Sequence, residues 1–138
     1  MIYSYSITPQ TLSTDDNIVF NVDQIKTGCT VTHASGTPVF TFNKPGYYYV
    51  TFSGVASATA AATDPIVVEM YNGATPVSGA LSSALSAAAD TPVQFSISTI
   101  IQVRPNCPAI DNTVNLVIKN TGIEALYENV TITITKLC

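Results

Sequence analysis

The side chains in this sequence equipped for chemistry are one histidine, three cysteines, an Asp-Asp pair and seven tyrosines. A catalytic histidine needs a nucleophile or carboxylate partner, and no pattern in the sequence supplies one for His33. Its place at the end of a short strand-like run reads as structural. Asp15 and Asp16 could offer oxygen ligands to calcium, but their spacing is not that of an EF-hand loop and reads as a solvated turn. Cys29, Cys107 and Cys138 form no Cys-x-x-Cys or Cys/His zinc spacing. Their odd number leaves at least one thiol free or bonded between chains. Free thiols are the default in a reducing cytosol, and a Cys29–Cys107 bridge formed after release from the cell stays open as the alternative. Asn129-Val130-Thr131 is a formal glycosylation sequon, set in a strand-like run. No catalytic, cofactor-binding or metal-binding residue is assigned, and the chain is expected not to be an enzyme. Tyr3, Tyr5, Tyr47, Tyr48, Tyr49, Tyr71 and Tyr127 remain. Tyrosines stack on sugars or fill the centres of interfaces.

The elements that must position these groups are strands. The central stretch is Gly36–Phe52, GTPVFTFNKPGYYYVTF. Its first run sets Phe40 and Phe42 opposite Val39 and Thr41. Its second sets Tyr48, Val50 and Phe52 opposite Tyr47, Tyr49 and Thr51. β-Branched and aromatic residues at a period of two suit a pleated, half-buried surface, and Pro45-Gly46 is turn chemistry. Both faces of the second run are aromatic or apolar, so both are expected to lose water, one to a core and one to another subunit.

Around this pair, short strands are predicted at Ile2–Thr8, Ile18–Val22 (Ile18, Phe20 and Val22 inward) and Cys29–His33. Ser53–Thr63 reads as a strand end running into a loop. Ile66–Tyr71 is followed by Asn72-Gly73, the strongest hairpin signal in the chain. Ser78–Asp90 shows a weak helical pattern, but an extended or irregular connection is preferred. Pro92–Val103 turns Val93, Phe95, Ile97, Thr99, Ile101 and Val103 one way and Gln94, Ser96, Ser98 and Gln102 the other. Thr113–Lys119 and Glu124–Leu137 complete the chain. The sum is all-β: about nine or ten antiparallel strands in a two-sheet sandwich, with residues 1–138 as one domain and 1–17 as a strand or arm that packs on a neighbouring subunit.

Composition narrows the function. Only 10 % of residues are charged, against about 25 % in an average soluble domain. Less surface is therefore solvated than in an ordinary monomer, which favours self-association over a lone subunit coated in Ser, Thr and Asn. Five scattered basic residues and a net charge of −4 leave no basic stripe for nucleic acid. No apolar run reaches the roughly 18–20 residues of a spanning helix, so no membrane is expected. The N-terminus lacks a charged n-region followed by an apolar run. Synthesis in a cytoplasm is the expectation.

The run GTPVFTFNKPGYYYVTFSG resembles the signature of the complement first-component/tumour-necrosis-factor superfamily of trimeric jelly rolls, with Gly36, Phe40, Pro45, Gly46, Tyr48 and Val50 at the matching positions. VVEMYNGATPV is similar to that superfamily's strand–Asn-Gly–strand hairpin, and VTITITKL to its last strand, which runs near the threefold axis. The resemblance spans roughly Ile18 to the end. It implies a homotrimeric jelly roll, with Tyr48, Val50 and Phe52 as core or trimer packing and, with Tyr127, Ile132 and Ile134, as the expected trimer interface. Calcium binding by some members keeps Asp15-Asp16 in view. Within the superfamily, KTGCTVTH, FTFNKPGYYYV and TITKLC resemble small structural proteins of tailed bacteriophages. That likeness implies a non-enzymatic virion protein — head fibre, capsid decoration or auxiliary capsid protein — made in the host bacterial cytoplasm, partnered by itself and other virion proteins and carrying no cofactor. A carbohydrate-binding or adhesion module for host-surface or mucosal glycans is the alternative.

Overall fold

The computed structural model describes residues 1–60, 64–86, 88–105 and 112–138. They form twelve strands and no helix. β1 (Ile2–Ser6), β2 (Gln10–Leu12), β3 (Asp16–Asn17) and β4 (Val22–Lys26) come first. β5 (Val31–Thr32), β6 (Phe40–Phe42), β7 (Gly46–Ala58) and β8 (Ile66–Asn72) follow. β9 (Thr75–Ala84), β10 (Pro92–Val103), β11 (Val114–Asn120) and β12 (Ala125–Lys136) complete the set. One sheet runs β10-β7-β12-β1-β4, with β2 also on β12; the other runs β5-β6-β11-β8-β9, with β3 also on β11. Every pairing is antiparallel. Two antiparallel sheets facing each other across one core make a jelly-roll sandwich. The strand count exceeds the expected nine or ten because β2, β3 and β5 are only two or three residues long.

β7 is the spine of the first sheet. Its thirteen residues pair with β10 on one side, from Gly46–Val103 to Ser57–Pro92, and with β12 on the other. The strand continues through SGVASA to Ala58 before the chain bends, as the reading of Ser53–Thr63 as a strand end running into a loop has it, and Gly54, Ala56 and Ala58 are small enough to sit under the opposite sheet. At Gly54 a Cβ would lie 3.1 Å from both Phe52 Cζ and Val130 Cγ1. Pro92 is the first residue of β10, an edge strand, where a missing N–H does least harm. The Asn72-Gly73 hairpin forms between β8 and β9, with Gly73 at φ +61°. Ser78–Ala84 lies in β9, an extended edge strand rather than a helix.

The core is aromatic at one end. Phe20 meets Phe40 edge-on with centroids 5.4 Å apart, and Phe42 meets Tyr48 at 4.7 Å. Across the middle runs a buried polar pin. Tyr127 of β12 donates to Asn120 Oδ1 of β11 at 2.8 Å, and Asn120 Nδ2 donates to the carbonyls of Leu12 (3.1 Å) and Ile123 (2.9 Å). Burial pushes the Tyr127 phenol well above its ordinary range, so it stays a donor.

The structure places one expected element and corrects another. Within residues 1–17, β1 and β2 pair with β12, and β3 pairs with β11, all in the same chain. The alternation of β1 explains this, since Ile2, Ser4 and Ser6 are buried and each opposes a buried β12 residue. Val22 is not inward, being 40 % exposed, because β4 begins there with a new register after the Phe20–Thr37 bridge.

Candidate interaction surface

The six residues expected at a subunit interface lie elsewhere. Tyr48, Val50, Phe52, Tyr127, Ile132 and Ile134 are each at most 1 % exposed within the single chain. A strand sends alternate side chains to opposite faces, and these six all take the face that meets the other sheet. Tyr48 is satisfied there, donating to Lys44 O at 2.6 Å. They are core residues, with no area left for a neighbour to cover.

The opposite face of the same sheet holds the candidate surface. Tyr47 and Tyr49 on β7 are 45 % and 41 % exposed, and Ile100 on β10 is 58 % exposed. Register places Tyr49 directly beside Ile100 on one side and Thr135 of β12 on the other, while Tyr47 opposes Gln102. Gln102 Nε2 donates to the Tyr47 hydroxyl at 3.3 Å. Further across the sheet, Tyr3 and Tyr5 of β1 stand with centroids 6.1 Å apart and oppose Ile25 and Val22 of β4, themselves 41 % and 40 % exposed. Threonines 51, 131, 133 and 135 fill the rows between. The result is a broad sheet face of tyrosine, aliphatic and threonine side chains, with no charged residue among Tyr47, Tyr49, Thr51, Ile100, Gln102, Thr131, Thr133 and Thr135. Its far end is a groove of about 480 Å³ lined by Ser53, Val55, Gln94, Ser96, Asn129 and Thr131, beside the register shift in β12.

One signal for this face was present in the sequence. Pro92–Val103 alternates cleanly except for Ile100, which falls among Gln94, Ser96, Ser98 and Gln102. A lone apolar residue on a polar face is ordinary, but Ile100 lies beside Tyr49, and a contiguous apolar patch of that kind marks an interaction surface.

The other chemically able residues are placed as follows. His33 is buried at the end of β5, its ring stacked 4.1 Å from Phe40 at 8°. Its Nδ1 lies 2.5 Å from Asp23 Oδ1 and its Nε2 2.8 Å from Thr37 O. Nothing in the sequence paired Asp23 with His33, because the contact joins the edges of two different sheets. Asp15 and Asp16 form the exposed turn into β3, with Asp15 at φ 72° and Asp16 Oδ2 accepting from Ser13 N at 2.9 Å. Among the described residues no three His, Cys, Asp or Glu side chains gather at one point. Cys29 and Cys138 are exposed free thiols. Cys107 lies outside the described residues, and the Cys29–Cys107 pairing with it. Asn129 is exposed on β12. Among the described residues no helix is long and apolar enough to cross a membrane.

Topology and surface together define a class: an antiparallel jelly roll with one apolar-aromatic outer sheet face. No family model matches the chain, and no curated protein matches it by sequence. Solved structures do match it by fold. The chain is similar to the Eiger tumour necrosis factor of S. frugiperda, with TM-score 0.68, 12 % identity, and 99 % of this chain and 92 % of that one covered. Murine APRIL aligns with TM-score 0.55 and 9 % identity over 94 % and 97 % of the two chains. The vertex protein P5 of PRD1 aligns with TM-score 0.54 and 13 % identity over 95 % and 93 %. The jelly-roll fold of the tumour necrosis factor proteins, expected from the Gly36–Phe52 motif, is therefore present.

Proposed function

We propose that the chain is a non-enzymatic structural protein of a bacteriophage virion, a head fibre, capsid decoration or auxiliary capsid protein, working as a homotrimer that binds other virion proteins. The observation that carries self-association is the outer face of the first sheet: Tyr47, Tyr49 and Ile100 stand between 41 % and 58 % exposed in one chain. Half-wet tyrosine and isoleucine on a nearly uncharged sheet gain from burial at about 25 cal/mol per Å² of apolar area. Tyrosine is also a favoured residue at interface centres. The number three rests on the resemblance to trimeric jelly rolls, and the virion setting on the phage-like wording of the sequence together with the fold shared with a vertex protein. Light scattering or sedimentation in reducing and non-reducing buffer tests the assembly. A trimer in both is expected; a stable monomer at micromolar concentration rejects the reading.

A second reading is glycan binding for adhesion, for which the polar groove over Ser53, Gln94, Ser96, Asn129 and Thr131 speaks. Amide and hydroxyl groups in a concavity of that size suit a sugar's hydroxyls. A glycan array with no hits at high protein concentration removes it.

A further inference from the structure

The surroundings of His33 impose a condition on its protonation. Nε2 faces the carbonyl oxygen of Thr37, which can only accept, so that nitrogen must carry a proton. Nδ1 faces the Asp23 carboxylate at 2.5 Å. A neutral imidazole has one proton to donate and would turn a bare lone pair toward one of these oxygens. Only the doubly protonated ring satisfies both. The alternative of a proton on Asp23 is opposed by its other neighbours. Ser4 Oγ donates to Asp23 Oδ1 at 2.6 Å, Ser35 Oγ donates to Oδ2 at 3.3 Å, and Lys26 Nζ stands 3.7 Å from Oδ2. Burial pushes the Asp23 carboxyl up, but the Ser4 and His33 hydrogen bonds and the charges of His33 and Lys26 outweigh it and hold the group below its ordinary range.

Position gives the pair a consequence. Asp23 and Lys26 lie on β4, the edge of the first sheet, whereas His33 follows β5, the edge of the second. Lys26 Nζ also donates to the His33 carbonyl. Within the described residues β4 has one strand neighbour, β1, with a register shift between Tyr3 and Ser4. It also meets the other sheet's edge at this junction, just after the Phe20–Thr37 bridge. Asp23 and Lys26 are the charged groups that meet His33; β1 brings Ser4, β6 brings Phe40, and the 33–37 turn brings Ser35 and Thr37. None of these last four titrates near neutrality.

We propose that His33 and Asp23 form a proton-gated clasp that holds edge strand β4 to the other sheet, closed while the ring carries both protons and released when it loses one. The clasp is intact above the pH at which Asp23 takes up a proton and below that at which His33 gives one up. Release frees the strand bearing Val22 and Ile25, the outer margin of the tyrosine face. The proposal concerns the single chain and holds whether or not copies associate.

His33 is the only histidine, so its ring nitrogens are read without ambiguity in the ¹⁵N NMR spectrum of the wild-type protein. Both nitrogens are expected to be protonated at the acid end of a pH series on the folded chain, with one proton lost toward its alkaline end. Over the same range, protection of the Val22–Lys26 amides, corrected for intrinsic exchange, should fall about tenfold while β7 amides hold. His33→Gln, which can keep one bond, should abolish that pH dependence. A ring that is neutral across the whole range, or β4 protection with the same pH profile in wild type and variant, overturns the clasp. The ring spectrum needs no variant, so a His33→Gln chain that fails to fold leaves the test in force.

Discussion

The two faces of β7 are built from nearly the same residues and have opposite fates. Tyr48, Val50 and Phe52 are at most 1 % exposed, whereas Tyr47 and Tyr49 are 45 % and 41 % exposed. Composition does not separate them; each face carries aromatic rings. Geometry does. The inner face meets Phe42 of the second sheet and Phe20 of the segment between β3 and β4, and its one hydroxyl finds the Lys44 carbonyl. The outer face has sheet neighbours beside it, Ile100 and Thr135, but no layer above it among the described residues. An aromatic residue with partners only in its own sheet is half finished, and a second copy of the chain is what we propose completes it.

Substitutions on the two faces should therefore fail differently. Phe52→Ala empties a fully buried ring position and should cost about 3–5 kcal/mol, read by chemical denaturation of the subunit. Tyr49→Asp or Ile100→Asp should leave subunit folding within about 0.5 kcal/mol of wild type. Their effect should appear in light scattering, as a shift from trimer toward monomer, because an unpaired carboxylate in a dry interface costs far more than one in water. If Tyr49→Asp stays trimeric, the outer face is not the interface and the comparison collapses.

How much of this was legible beforehand follows from what each feature depends on. Alternation along Phe40–Phe42, β7 and β10 is local, so the strands, the Asn72-Gly73 hairpin and the split into faces could all be read. Which face of β7 turns inward is not local. It depends on where the second sheet sits, and the motif resemblance drew the choice toward Tyr48, Val50 and Phe52 as subunit contacts. Ile100, the one break in the β10 pattern, pointed to the other face. The places of residues 1–17 and of Asp23 were less legible still. The first depends on β12, more than a hundred residues downstream; the second depends on two sheet edges meeting, which no spacing in a single strand encodes.

The same contrast between inside and outside should hold for hydrogen bonds of equal length. Tyr127 Oη to Asn120 Oδ1 and Ser53 Oγ to Thr131 Oγ1 both measure 2.8 Å. The first spans the two sheets between fully buried residues, and Tyr127→Phe leaves the Asn120 oxygen without that donor. A loss of about 1–3 kcal/mol is expected, the penalty of a buried acceptor left unpaired. The second lies on the exposed face, where water replaces whichever partner is removed. Ser53→Ala should change subunit stability by less than about 0.5 kcal/mol in urea denaturation of the monomeric Tyr49→Asp background. A comparable loss from both would mean that the outer face is already dry within one chain, and the asymmetry between the two sides of β7 would lose its physical basis.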